Sequence, residues 1–130
     1  MARRGGWNRS PTGFSDVVKS DVNKRLRATA LQALSGVIER SPVDSGAFRG
    51  NNMVSVGSPD DGYDLAKTDK NGSAALGEGM TIIGRVRDAF SVIYVSNNLP
   101  YAERLEEGSS SQAPAGIYGV TFNSLVERSR

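Results

Sequence analysis

The sequence predicts an α+β fold. Three observations carry that reading: a long apolar stripe at spacings of three and four up to residue 40, two short runs rich in β-branched and aromatic residues near 48–56 and 90–95, and proline- or glycine-punctuated stretches that suit only short helices. At 130 residues the chain has the size of one domain and one modest core. Its 15 glycines imply that this core shares the chain with much loop.

Residues 1–14, MARRGGWNRSPTGF, mix Gly, Pro, Ser and Arg without periodicity and read as a flexible arm ahead of a single domain over 15–130. Trp7 and Phe14 sit oddly in such a segment, because an isolated aromatic gains by burying itself on some surface. The arm, with Arg3, Arg4, Trp7 and Phe14 as its contact residues, either docks on its own domain or a neighbour, or frays as an ordinary terminus.

A helix is expected from Ser15 or Asp16, either of which caps a first turn, to about Arg40. Val18, Val22, Leu26, Ala30, Ala33, Leu34, Val37 and Ile38 form its apolar stripe, while Lys19, Asp21, Lys24, Arg25 and Arg27 lie mostly off it. Such a helix is roughly 36 Å long. Ser41-Pro42 stops it, since the residue before proline avoids the helical region. In the tract 42–48, PVDSGAF, Asp44 suits a bond to its own backbone two residues on and Gly46 suits positive φ. A strand follows over Phe48–Val56, then an acidic loop over 57–72 that is too long for a plain connection.

Ser73 to about Arg87 reads as a second helix interrupted by Gly77, Gly79 and Gly84, with Ala74, Ala75, Met80 and Ile83 as its apolar contacts. Phe90–Val95 reads as a buried central strand. Leu99–Glu107 suits a short helix with Asn98 as cap, Pro100 in the first turn, Tyr101 and Leu105 on one face, and Gly108 closing it. After the polar link SSSQ, Pro114 is placed to open a terminal segment whose Ile117, Val120, Phe122 and Leu125 give it an apolar side, although 120–122 equally suits a strand.

Composition excludes much chemistry. With no cysteine and no histidine there are no disulfides, no thiolates, no zinc sites of the usual kind and no imidazole base. No apolar run follows the basic N-terminal residues, so neither a secretory signal nor a membrane span is read, and synthesis in a host cytoplasm is expected. The net charge is only +2; without Arg3, Arg4 and Arg9 the 16 basic residues fall to 13 against 14 acidic ones. The pI of about 9.2 therefore reflects the arm, and a broad nucleic-acid-binding face is not expected.

Carboxylates are the remaining candidates for acid–base work. Asp60, Asp64 and Asp69 lie in a glycine-containing loop but lack the spacing and closing Glu of a calcium-binding loop, so a solvated acidic loop is preferred. Glu103, Glu106 and Glu107 read as a solvated helix face with local pairing, for example to Arg104. Phosphate-binding and nucleophile-elbow patterns are absent. No cofactor, metal or catalytic residue is expected, and the chain is read as a non-enzyme.

The segment 97–117, NNLPYAERLEEGSSSQAPAGI, resembles the tail-completion (neck, head–tail joining) proteins of long-tailed bacteriophages. The resemblance rests on a turn with Asn98, Pro100 and Tyr101, a helix end with Arg104, Leu105, Glu106 and Gly108, and a restart with Gln112, Pro114 and Gly116. A second match is the helix end and turn from Pro42 to Arg49, with Asp44, Gly46 and Phe48. Two departures stand out: the acidic 57–72 loop is this chain's own, and Glu107 replaces an aromatic.

The resemblance implies a long helix packed on a small, mostly antiparallel sheet with one or two further short helices. It also implies a structural virion protein, a ring-forming subunit of the neck that completes the tail and joins it to the head. Its partners would be copies of itself, six to a ring, together with tail-terminator, tail-tube and head-completion proteins, with DNA in the lumen as a further possibility and no membrane. Tail-terminator and head-completion rings are the neighbouring alternatives. Ring subunits meet head-to-tail, so the acidic loop and basic arm are expected to face each other across an interface and to order mainly on assembly.

The contrasting reading is a small nucleic-acid-binding module that uses Arg3, Arg4, Arg9 and Trp7. It requires DNA affinity that falls steeply with salt and vanishes on deletion of residues 1–9.

Overall fold

The apolar stripe forms one helix, and everything else is laid along its C-terminal half. The computed structural model describes residues 11–128. Helix α1 spans Pro11–Arg40, so it begins ahead of the expected Ser15 or Asp16, within the last part of the tract read as an arm. Proline at the first position costs nothing there, because that N–H has no partner within a helix anyway. At 30 residues α1 is about 45 Å long. Arg3, Arg4 and Trp7 lie outside the described residues, as does the side chain of Phe14.

The order after α1 is α2 (Ala47–Gly50), β1 (Met53–Val56), α3 (Ser73–Gly84), β2 (Ile93–Ser96), α4 (Ala102–Glu106) and α5 (Tyr118–Arg128). Strands β1 and β2 pair antiparallel in register Met53↔Ser96 to Val56↔Ile93. Two strands alone are marginal in water, and this pair is stable only because one face packs on helices. The class is therefore α+β: a long helix, a small antiparallel sheet and short helices.

Two apolar clusters lie on either side of α1. Ala30, Leu34 and Ile38 pack with Val54, Ala75 and Ile83, joining α1 to β1 and α3. One position round the helix, Val37 packs with Ala47, Phe48, Leu99, Ala113 and Ile117. Both contacts are close because side chains are missing at two points. A Cβ on Gly79 would strike Leu34, and one on Gly36 would stand 2.7 Å from Thr121 Cγ2 of α5.

Several boundaries differ from the sequence reading. Phe48 and Arg49 are not in a strand. Gly46, at φ 92°, starts the single turn α2 instead, which drives Phe48 into the core and shortens the strand to 53–56. Phe90 is 76% exposed and Val92 is also exposed; the strand starts at Ile93 and, in a two-stranded sheet, is not central. The second helix stops at Gly84. The terminal segment 120–122 is helical, and its helix opens at Tyr118, after Pro114.

In the stripe, Ala30, Leu34, Val37 and Ile38 are buried, but Val22 is 41% exposed. Residues 19–22 of α1 are thus exposed. Asn23 and Arg27 are the outermost ties, donating to the Val86 carbonyl at 3.4 and 2.8 Å. Among the described residues no helix is long and apolar enough to cross a membrane.

Candidate functional site

The tracts 42–49 and 97–117, distant in sequence, are fastened to each other. The Gln112 side-chain amide pairs with the backbone of Val43 in both directions: Val43 N–H donates to Oε1 at 2.9 Å and Nε2 donates to the Val43 carbonyl at 3.0 Å. Phe48 and Tyr101 approach with ring centroids 6.4 Å apart. Between the two tracts lies a seam of about 480 Å³, bounded by Val43, Gly46, Phe48, Tyr101, Leu105 and Gln112.

Each glycine of the two tracts has a defined task. Gly46, Gly108 and Gly116 all have positive φ. Gly108 closes α4 as expected, with Ser109 N–H donating to the Arg104 carbonyl and Gly108 N–H to that of Leu105, both at 3.1 Å. A Cβ on Gly116 would stand 2.6 Å from the Glu106 carbonyl oxygen.

Glu106 is not part of a solvated face. Its carboxylate accepts the N–H groups of Ile117, Tyr118 and Gly119 at 3.1, 2.8 and 3.0 Å, which makes it the cap of α5. Burial pushes its pKa up, but these three donors outweigh burial and leave it below the ordinary value. The neighbouring Tyr118 hydroxyl titrates well above its ordinary value, through burial and then the Glu106 charge. Glu103, Arg104 and Glu107 are exposed, and the pairing expected among them is not formed. Among the described residues the ion pairs are Arg25–Asp21 and Lys67–Glu78.

Other expected residues turn out as fasteners. Arg49 donates to the Glu39 and Ser41 carbonyls at the end of α1 and to Lys70 at 2.9 Å, holding α1 and the acidic loop together. Asn98 does not cap α4; its amide donates instead to the Asp60 and Gly62 carbonyls. Asp44 is exposed, and the turn bond expected of it is made by Ser45 Oγ, which accepts from Ala47 N–H at 3.2 Å. Pro42 is half-buried past the end of α1, while Pro100 and Pro114 are exposed in turns.

The sequence reading missed Asn51 and Asn52, both fully buried. Asn52 donates to Ser41 Oγ at 2.8 Å and accepts from the Tyr118 hydroxyl at 2.6 Å and from Asn97 at 3.3 Å. Asn51 pairs with Asp64 through both amide atoms, each at 2.9 Å, and donates to Ala47. Two adjacent asparagines inside an expected strand were the available signal, since such residues favour turns and side-chain-to-backbone bonds.

The acidic loop is consequently tied to its own domain. Asp60 and Asp64 accept from amides two residues on, and Asp69 caps the first turn of α3 by accepting from Ala75 N–H at 2.9 Å. Among the described residues no group of three or more acidic side chains is arranged to hold a metal ion.

A second concavity, a groove of about 390 Å³, lies between β2 and α4. Phe48, Val95, Ala102 and Tyr118 give it an apolar floor, and Glu103 stands at its rim. Ser96 also lines it; its hydroxyl is buried and has no hydrogen-bond partner among the described residues. No family model, curated protein or solved structure matches the chain.

Proposed function

We propose that this chain is a non-enzymatic structural protein of the neck of a long-tailed bacteriophage, a ring-forming subunit that completes the tail and joins it to the head. The observation that carries the proposal is the fastening of its two specific tracts to one another, through Gln112 with Val43 and through Phe48 with Tyr101. Gln112, Arg49, Asn98 and Glu106 are committed to holding backbone. Glu106, the best placed carboxylate for acid–base work, has both oxygens engaged by helix N–H groups, and its pKa moves away from neutrality rather than toward it. What the tracts leave exposed is shaped surface, which suits assembly with copies of the chain and with other neck and tail proteins.

Electron microscopy of the purified protein, alone and mixed with tail tubes, tests this. Six-fold rings seated at the head-proximal end of the tube are expected. A protein that stays monomeric, is absent from finished particles and turns over a small molecule through Glu103 or Glu106 would falsify it.

A further inference from the structure

The groove between β2 and α4 is incomplete as it stands. Its floor is apolar, its rim carries Glu103, and the exposed Glu107 stands just past the end of α4. An occupant that answers both features is a large apolar group flanked by positive charge. The chain has a single tryptophan, Trp7, a large apolar side chain set between Arg3, Arg4 and Arg9.

Chain geometry decides whose Trp7 it is. From Pro11 to Val37, which packs with the groove residue Phe48, α1 covers about 39 Å. The four residue-to-residue steps from Trp7 to Pro11 reach about 14 Å at full extension. Trp7 therefore falls some 25 Å short of its own groove. A neighbour's groove has no such limit.

We propose that this groove receives the N-terminal segment of a second copy, with Trp7 on the apolar floor and the flanking arginines facing Glu103 and Glu107. The proposal deepens the ring reading and rests on it for the identity of the neighbour. Each copy gives an arm and receives one, which is a head-to-tail contact of the kind that closes a ring.

Because Trp7 is the sole tryptophan, the emission of the full-length chain reports on it directly. A dilution series followed by fluorescence, acrylamide quenching and light scattering on the same samples is the test. The expected result is a blue-shifted, quencher-shielded emission that appears only as the chain associates. Glu103→Lys, an exposed change, should raise the concentration for that transition at least about tenfold. Ala102→Arg, which fills the floor, should abolish it, and Tyr118 hydrogen exchange or circular dichroism checks that this variant is folded.

Three outcomes overturn the proposal: shielded emission in the monomer at all dilutions, assembled rings whose Trp7 stays open to quencher, or sensitivity to Asp60→Lys/Asp61→Lys in place of Glu103→Lys. The second leaves the ring reading standing. Shielded Trp7 in an assembly that never closes supports the groove and sinks the ring.

Discussion

Three N–H groups at the start of α5 converge on one carboxylate, and that geometry governs how Glu106 titrates. In the unfolded chain the group titrates near its ordinary 4.5, and in the fold it titrates lower. Its stabilising contribution is therefore complete above the unfolded value and is lost as pH falls through the folded one. Glu106→Gln should destabilise the protein by about 1 kcal/mol at neutral pH, and the two chains should converge in acid, measured by urea unfolding across pH. Equal destabilisation at every pH would deny Glu106 its charged role. Nothing local in the sequence revealed this cap. Glu103, Glu106 and Glu107 look alike as a cluster, and the N–H groups that single out Glu106 arrive eleven or more residues later, after a loop whose path only Gly108 and Gly116 permit.

At the level of elements, α3 shows how far glycine content misleads as a sequence signal. Gly77 and Gly79 both weaken a helix by propensity, yet they sit in different surroundings. Nothing lies within 4 Å of a Cβ at Gly77, whereas at Gly79 a Cβ meets Leu34 and stands 3.0 Å from Val54 Cγ2. Gly77→Ala should stabilise by about 0.5–1 kcal/mol, and Gly79→Ala should destabilise by about 1–3 kcal/mol through overpacking, read from chemical denaturation midpoints. The same sign for both would mean that α3 does not pack against α1 through Gly79. The long helix was legible from its apolar stripe from about residue 16 on, while α3 was legible only in outline, because its glycines weaken the helical signal. The strand expected over 48–56 was half legible: apolar Met53, Val54 and Val56 mark it, but Phe48 is β-favouring and is overridden by the αL turn at Gly46 and by the core space that α2 lets it fill.

Over the whole molecule the fold class was legible, while the division between tied and free parts was not. The sequence suggests a free arm and a free acidic loop. The loop takes hydrogen bonds from Asn51, Asn98 and Arg49, while residues 19–22 of α1 are exposed. A helix segment that is exposed, without tertiary packing to hold it, is marginal in water. Hydrogen exchange should therefore find the amides of residues 19–22 fast in the isolated chain and protected on assembly, with residues 60–69 changing little between the two states. Protection gained chiefly in 60–69 would restore the loop as the segment that orders on contact. The asymmetry escaped the sequence because Val22 and Leu26 match the apolar period as well as Leu34 does; only the length of the body decides which of them it covers.

Gly36 and Gly79 also set a direction. Both lie where bare backbone allows a neighbouring side chain to press against α1 or α3, and the tip of α1 is about 38 Å from Gly36. Tilting the clamped end by a few degrees swings that tip through ångströms, as a compass needle amplifies a twist at its pivot. A methyl group added at either glycine would thus re-aim the outstretched helix, and with it the angle at which one molecule hands its leading end to the next.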